Sequence, residues 1–574
     1  MKKHQKIFYR LLVAFFFLLI SNLSFAGNGI KGTTITLQPA ATVSWSDILK
    51  QAKESSFQEN QQPRVMPFMP APPKKDIGAP REGYTFPSPA NKKEESAPTV
   101  AIPPFSIQKS FLALPDNGIY IPPDTMGAVG PNHIMTMLNS QVRIQDKSGN
   151  TIGDIISLKN FWNPLGISYV CDPIIIYDSL SKRWLAVAIA DWDDDAKVLF
   201  AITQSNNPTG TWYYYSITAD TNGNNMADYP RVGLNSKWIA ITANMFNKSN
   251  HSYVGPKMWV IDKSTVLGGD SMTLTTFNTG FDDTGKGEGF TLTPAVTFDP
   301  NEANLYLVDN WYFRGTVIRL SKISGTASSP TWSIVSDSKG PFPGNGLFYV
   351  VNGYNDDQIN ASQKGTTTRI MTDDERIINA VYRNGRLWFV HSGGLPQDNT
   401  EEVNPDRTAI FWYQVDPSLL DSTGNPIVQS GVIDPGAGGH VFFPSIAVNK
   451  NNDVVIGFSH SDSTRYVETS FVSRSASYPQ NSVSQITTIK LGEAIYRKDF
   501  GHGRIRWGDY SATVVDPSDG TTFWTIQEYA ATPVSGGTTN DDRWGTWWAK
   551  IVPPSGGSVT KKSKAMPWLM LLLQ

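Results

Sequence analysis

The stretch "RIRWGDYSATVVDPSDGTTFWTIQEY", Arg504 to Tyr529, decides the fold. "SATVVD" and "TFWTIQEY" are dense in β-branched and aromatic residues, and "PSDG" between them is a turn cluster. The pair therefore reads as a β-hairpin. What leads into it differs in kind: Arg506, Trp507, Asp509 and Tyr510 bring charge and hydrogen-bonding capacity to the start of an apolar strand.

The hairpin has siblings. "DTMGAVGPNHIMTMLNSQVRIQD" begins at Asp124, "CDPIIIYDSLSKRWLAVAIAD" at Cys171 and "DYPRVGLNSKWIAITANMF" at Asp228. "TPAVTFDPNEANLYLVDNWY" follows from Thr293, "ERIINAVYRNGRLWFVHSG" from Glu375 and "FPSIAVNKNNDVVIGFSHS" from Phe443. Each unit has a polar or Pro-containing lead, a short apolar strand, a turn on Asp, Asn or Gly, and a second apolar strand. Starts recur about every 50 to 80 residues, and no long helix-period segment intervenes. The fold class is all-β. Closed in a ring, the units predict a single β-propeller of seven blades. The wide gap from Thr293 to Glu375 leaves six or eight blades open, and stacked β-sandwiches are the competing architecture. "WGTWWAKI" near the end and "SIQKSFLALPDNGIYIPP" before the first unit offer strands to join the ring's ends.

Around this body, residues 105–553, the chain divides by composition. Residues 1–26 read as a Gram-negative-type export signal: Lys2, Lys3, Lys6 and Arg10 precede "LLVAFFFLLI", and small residues surround a cleavage site after Ala26. Residues 27–57 carry one short amphipathic helix, "SWSDILKQAKESSF", with Ser44 and Asp47 as a capping box. Residues 58–104 form a Pro-rich linker with too little apolar periodicity to pack alone. The tail, 554–574, ends in an apolar run too short to span a bilayer, so no membrane span is expected after signal cleavage. The tail either docks on the body or rests on a membrane surface.

The formal net charge of −2 loses four positive charges with the signal and becomes −6, and no basic block remains to track a phosphate backbone. Nucleic acid is excluded as a partner on that ground. The single cysteine, Cys171, precludes an internal disulfide and reads as a small buried hydrophobe. "DTNGNNMAD" from Asp220 lacks the Gly and Glu positions of an EF-hand and reads as an Asx-rich turn, with a loose Ca²⁺ loop second. "DWDDDAK" from Asp191 reads as a solvated turn.

"PPDTMGAVGPNHIMTMLNS", "DPIIIYDSLSKRWLAVA", "DYPRVGLNSKWIAITAN" and "WGDYSATVVDPSDGTTFWTIQEYA" together resemble a group of large secreted bacterial β-propeller proteins. That group is similar in architecture to sialidase and BNR-repeat propellers. The resemblance runs from about Ile107 to Val552 and implies a fold rather than an activity. Two sialidase marks are missing: "RIIN" at Arg376 lacks the proline of an RIP motif, and "DPSDGTTFW" departs from the Asp-box pattern.

In a propeller the first strand of each blade starts at the mouth of the central channel. The strand starts supply Asp124, Asp172, Asp228, Glu375 and Asp509, with Arg231, Arg376, Arg506, Trp507, Tyr229 and Tyr510 among them. His440 and His502 stand in Gly-rich loops just ahead of two such strands. Three uses compete for the carboxylates. They cap neighbouring strands; or Asp124, Asp172, Asp228 and Asp509 ligate calcium; or two of Asp124, Asp172, Asp228, Glu375 and Asp509 act as the acid–base pair of a glycoside-active enzyme. The arginines, aromatics and histidines are the expected ligand contacts. The reading preferred is a secreted, periplasmic or cell-surface propeller binding a carbohydrate or a surface protein at a partly enclosed channel mouth.

Overall fold

The computed structural model describes residues 29–55, 63–66, 69, 102–192, 194–278, 289–310, 317–343, 345–350, 359–395, 405–534 and 538–554. The export signal, most of the Pro-rich linker and the tail beyond 554 lie outside them.

Among the described residues the chain is all-β apart from short helices. Each hairpin unit becomes an antiparallel sheet whose strands follow chain order. The first strands of the sheets are Met126–Val129, Val170–Asp178, Asn225–Leu234, Phe290–Thr297, Ile377–Arg383, Gly439–Val448 and Ala512–Val515. Each packs beside the next, and the last packs beside the first. Two neighbours come close enough to pair in parallel, Leu234 with Val296 and Ala295 with Ala380. Gly233 permits the first approach, since a Cβ there would lie 2.5 Å from the backbone of Pro294.

The seventh sheet is completed from the other end of the body. Ser106–Pro115 pairs antiparallel with Arg543–Val552, as "SIQKSFLALP" and "WGTWWAKI" had offered. Trp and Tyr residues fill the space between sheets: Trp184, Trp212, Trp388, Trp524 and Trp548 are all fully buried.

The N-terminal segment does more than the single expected helix. Ile30–Lys31, Thr33–Leu37 and Ala41–Ser44 add outer strands to the fourth, third and second sheets in turn. They cover sheet edges that would otherwise offer unpaired backbone groups. The helix then runs over Trp45–Ser55, with Ser44 Oγ accepting from the Asp47 amide, one half of the expected capping box; the Asp47 carboxylate takes the Ser44 hydroxyl and not its backbone amide. Trp45, Ile48 and Ala52 face inward. Strands ahead of Phe105, from Ile30 on, thus join the sheets of the body; isolated apolar pairs such as "TITL" show no period in so short a run.

Part of the linker also docks. Arg64–Val65 pairs in parallel with Tyr120–Ile121, and Met66 and Met69 are buried. A protease cut between Gln58 and Pro104 should therefore leave the N-terminal piece on the core, the two co-eluting in gel filtration until denaturant is added. Its release under native conditions would contradict the outer-strand pairing.

Candidate functional site

The first strands share a local device that explains their odd lead-ins. Asp172, Tyr229, Thr291 and Phe443 adopt left-handed backbone with φ between 50° and 55°, as does Asp124 just ahead of its strand. Each of the first four sits in a register shift against its second strand. Such a bulge costs a non-glycine residue roughly 1–2 kcal/mol and aims its side chain out of the ladder. Pro173, Pro230 and Pro444 follow three of these residues, where the ladder needs no N–H.

The device gathers polar groups on the ring axis. Asn139 donates to Asp124 Oδ2 at 2.6 Å and to the Pro122 carbonyl at 3.0 Å, while its own oxygen accepts the Asp172 amide at 2.8 Å. Asp172 Oδ2 in turn accepts the Tyr229 amide at 3.2 Å, and the Tyr229 hydroxyl donates to the Asp509 carbonyl at 2.9 Å. Arg506 donates to Asp509 Oδ1 at 2.5 Å and to the Met66 carbonyl at 3.2 Å. Arg376 grips Asp374 through two bonds of 2.8 Å and lies 3.3 Å from Asp373.

Below these ion pairs lies a layer of guanidinium and aromatic rings. Arg231 stands 4.1 Å and 4.4 Å from the ring centres of Tyr229 and Tyr510, which meet edge to face. Arg376 covers the other neighbours, Tyr229 at 4.4 Å and Phe290 at 5.0 Å. Planar guanidinium suits such stacking while keeping its edge for hydrogen bonds.

Burial sets the electrostatics. It pushes the Asp172 carboxyl up to about 6; the charge of Asp509 adds to the rise, and the Tyr229 amide, Arg506 and Arg231 oppose it. Asp124 is raised by burial, then by Asp509 and Asp172; Asp228 by burial, then by Asp172. Glu528 is raised by burial and then by Asp124.

The site is more closed than the partly enclosed mouth expected. Asp124, Asp172, Asp228 and Arg506 are buried, and Met66 and the docked linker strand close over this face. The side chain of Asp509 keeps 14% of its exposure. Asp124, Asp172, Asp228, Asp509, Tyr229, Tyr510, Arg231, Arg376 and Arg506 do come together. Glu375 is buried, with its carbonyl taking the Asn310 amide at 3.0 Å. Trp507 turns away between sheets, its Nε1 donating to Ser459 Oγ and its ring meeting Tyr496. His440 is buried against the Thr408 amide, its imidazole lowered to about 4 by burial and then by Arg369. His502 is exposed in its loop. Among the described residues no group of three His, Cys, Asp or Glu side chains is arranged to hold a metal ion. In "DTNGNNMAD" the Asp220 carboxylate is taken up by the amides of Asn222, Asn224 and Asn225. Cys171 is buried, its thiol raised by burial and then by Asp172.

Asn139, Asp373, Asp374, Glu528 and Met66 belong to the site without having stood out in the sequence. "DDER" alone carried a signal, as consecutive acids directly ahead of Arg376.

A second feature opens on the same face. Residues 359–376 and 491–510 run side by side into the fifth and seventh first strands, joined where Met371 donates to the Ile505 carbonyl. Between them lies a cleft of about 570 Å³ lined by Arg369, Arg497, Arg504, Asp499, Thr368 and Thr539. Asp499 is committed to the amides of Gly501 and Gly503, and Arg497 to Asp542. Arg369 and Arg504 are exposed.

No protein-family model matches the chain, and no curated protein matches it. Among solved structures, it is similar to phage phi92 endosialidase at 11% identity and TM-score 0.34, covering 67% of each chain. Trypanosoma rangeli sialidase in complex with 2,3-difluorosialic acid gives 11% and 0.34, over 72% of this chain and 56% of that one. Penicillium chrysogenum α-L-arabinanase with arabinobiose gives 11% and 0.33, over 78% and 98%. Likeness this low is silent on activity.

Asp172 supplies a direct test of the cluster. Its folded value lies above that of a free carboxyl, so its contribution to stability is complete below about pH 4 and is lost as pH rises through about 6. Asp172→Asn keeps an acceptor for the Tyr229 amide and tolerates left-handed backbone, but carries no charge to desolvate. The variant should gain on the order of 2 kcal/mol over the parent at neutral pH, a melting shift of a few degrees, and lose that advantage near pH 4. A gain independent of pH would show that burial of the ionised carboxylate is not the cause.

Proposed function

We propose that the chain is an exported seven-bladed β-propeller that binds an acidic carbohydrate on the face where the first strands begin, through the cleft between residues 359–376 and 491–510. The observation that carries this reading is a contrast on one face: carboxylates sealed beneath the docked linker, and guanidinium groups lining an open cleft. A guanidinium fork matches a carboxylate in two parallel bonds, and Thr368, Thr539 and Asn360 add groups suited to sugar hydroxyls. Sealed carboxylates, by contrast, reach no glycosidic oxygen.

One observation favours a second reading, a glycoside-active enzyme: Asp172, its carboxyl pushed up to about 6 by burial, stands beside further carboxylates of the cluster, and a pair of carboxyl groups is what glycoside chemistry uses. That use requires the segment around Met66 to lift. Turnover of a chromogenic glycoside, lost in a folded Asp172→Asn, would establish it over simple binding.

The binding reading is tested with polygalacturonate, a neutral glucan and polyglutamate as ligands for the mature protein. Polygalacturonate should bind and the glucan should not. Arg369→Gln and Arg504→Gln should each weaken binding about tenfold, the loss of one charge-assisted contact. Raising salt should weaken it further. Equal binding of polyglutamate would assign the cleft to acidic protein surfaces instead.

A further inference from the structure

Beneath the guanidinium–aromatic layer, the ring encloses a cavity of about 210 Å³ on its axis, to which every first strand contributes. Its wall is aliphatic: Val129, Ile174, Val232, Val296, Ala380 and Val514 all line it. The far end, at the close of the first strands, is rimmed by the half-buried Tyr177, Phe298 and Pro517. The charged groups at that rim are engaged, Arg383 with the Val448 carbonyl and Asp516 with Lys147 and Trp524.

The inner end holds Arg231. Only 5% of this residue is exposed, and one guanidinium nitrogen, Nη1, donates to the Ile378 carbonyl at 3.0 Å. The other two, Nε and Nη2, form one edge of the fork and have no hydrogen-bond partner. Asp172 lies near enough to feel the charge, yet neither of its oxygens accepts from Arg231. The Tyr510 hydroxyl beside it is also buried without a partner. A buried cation with two unmet donors is costly unless something completes it, and this fork edge has the geometry a carboxylate takes.

We propose that this cavity binds a single-chain aliphatic carboxylate, with the carboxylate on the Nε–Nη2 edge of Arg231 and the alkyl chain along the aliphatic wall. Apolar wall and cationic end together select the class. A sugar would leave its hydroxyls unpaired against valine and isoleucine, and an uncharged hydrocarbon would leave Arg231 unanswered. The site is independent of the arginine cleft on the opposite side of the charged layer.

The experiment is calorimetric titration of the mature protein, stripped of copurified lipid, with octanoate, decanoate and decanol. Decanoate should bind one to one and roughly fifteenfold more tightly than octanoate, about fourfold for each added methylene. Decanol, equal in length but uncharged, should bind at least tenfold more weakly than decanoate. Arg231→Gln should abolish the preference for acid over alcohol. Val514→Leu, at a half-buried position of the wall away from the charge, should weaken both ligands while the melting temperature stays close to that of the parent. Failure of decanoate to bind, equal affinity for acid and alcohol in the parent, or unchanged binding in Val514→Leu would each overturn the proposal, even if Arg231→Gln did not fold.

Discussion

The pairing of Ser106–Pro115 with Arg543–Val552 is the constraint on which the rest of the structure depends. Sheets that hydrogen-bond mainly within themselves and touch neighbours through side chains gain a fixed axis only when the circle closes. Here one strand from the start of the body completes the last sheet. The join is reinforced where it is least exposed: Lys498 Nζ meets Asp116 Oδ2 at 2.6 Å, both side chains fully buried, just beyond the closing strand. Burial raises Asp116 and lowers Lys498, so each group depends on the other to remain charged. Such a pair adds little net stability over apolar residues, but loss of either partner leaves an uncompensated charge. It therefore acts more on register than on strength. Gly127 makes the same point in packing, since a Cβ there would lie 2.4 Å from the Trp548 ring across the seam.

Once the axis is fixed, the lead residues of the first strands have nowhere to go but toward one another. This explains why the strand starts tolerate strained backbone. A left-handed residue at a bulge redirects one side chain per sheet, and the cost is met by the hydrogen bonds it makes: Asp172 to the Tyr229 amide, Asn139 to both Asp124 and Asp172. These bonds join successive sheets, so polar groups act here as the seam of the ring where apolar packing has run out of surface.

Much of this was legible in the sequence, and the failures have physical causes. The strand–turn–strand grammar carried the hairpins, because period-two apolarity and turn residues are local signals. Arg506, Asp509 and Tyr510 were found because they interrupt an apolar pattern. Trp507 interrupts it as well, but its side chain lies between sheets, on Ser459 Oγ and the Tyr496 ring, and no composition argument separates it from Tyr510. Asn139 sits in a turn and reads as an ordinary turn residue; only the fold reveals that it faces two carboxylates. Glu528 stands beside Gln527 in a mostly apolar strand and does not look different from it. The closure of the mouth was hidden most thoroughly. Met66 contributes a backbone carbonyl to Arg506, and a backbone carbonyl has no sequence signature at all.

The layering along the axis has a consequence for how the two open features behave. Ion pairs, then stacked guanidinium and phenol rings, then an aliphatic cavity form a gradient from charge to hydrocarbon. Arg231 stands at its boundary: its faces meet Tyr229 and Tyr510, one nitrogen is tied to the Ile378 carbonyl, and Nε and Nη2 have no hydrogen-bond partner. Moving that guanidinium toward the carboxylates would break the stacking. Moving it toward the cavity would strip the acidic layer of a compensating charge, for Arg231 is one of the groups that hold Asp172 down. The position is pinned from both sides, so neither the cleft on one face nor the cavity on the other has to disturb the cluster in order to fill. The residues that hold the ring together are thereby kept apart from the surfaces proposed to meet a ligand, and the charged cluster can stay buried as part of the scaffold.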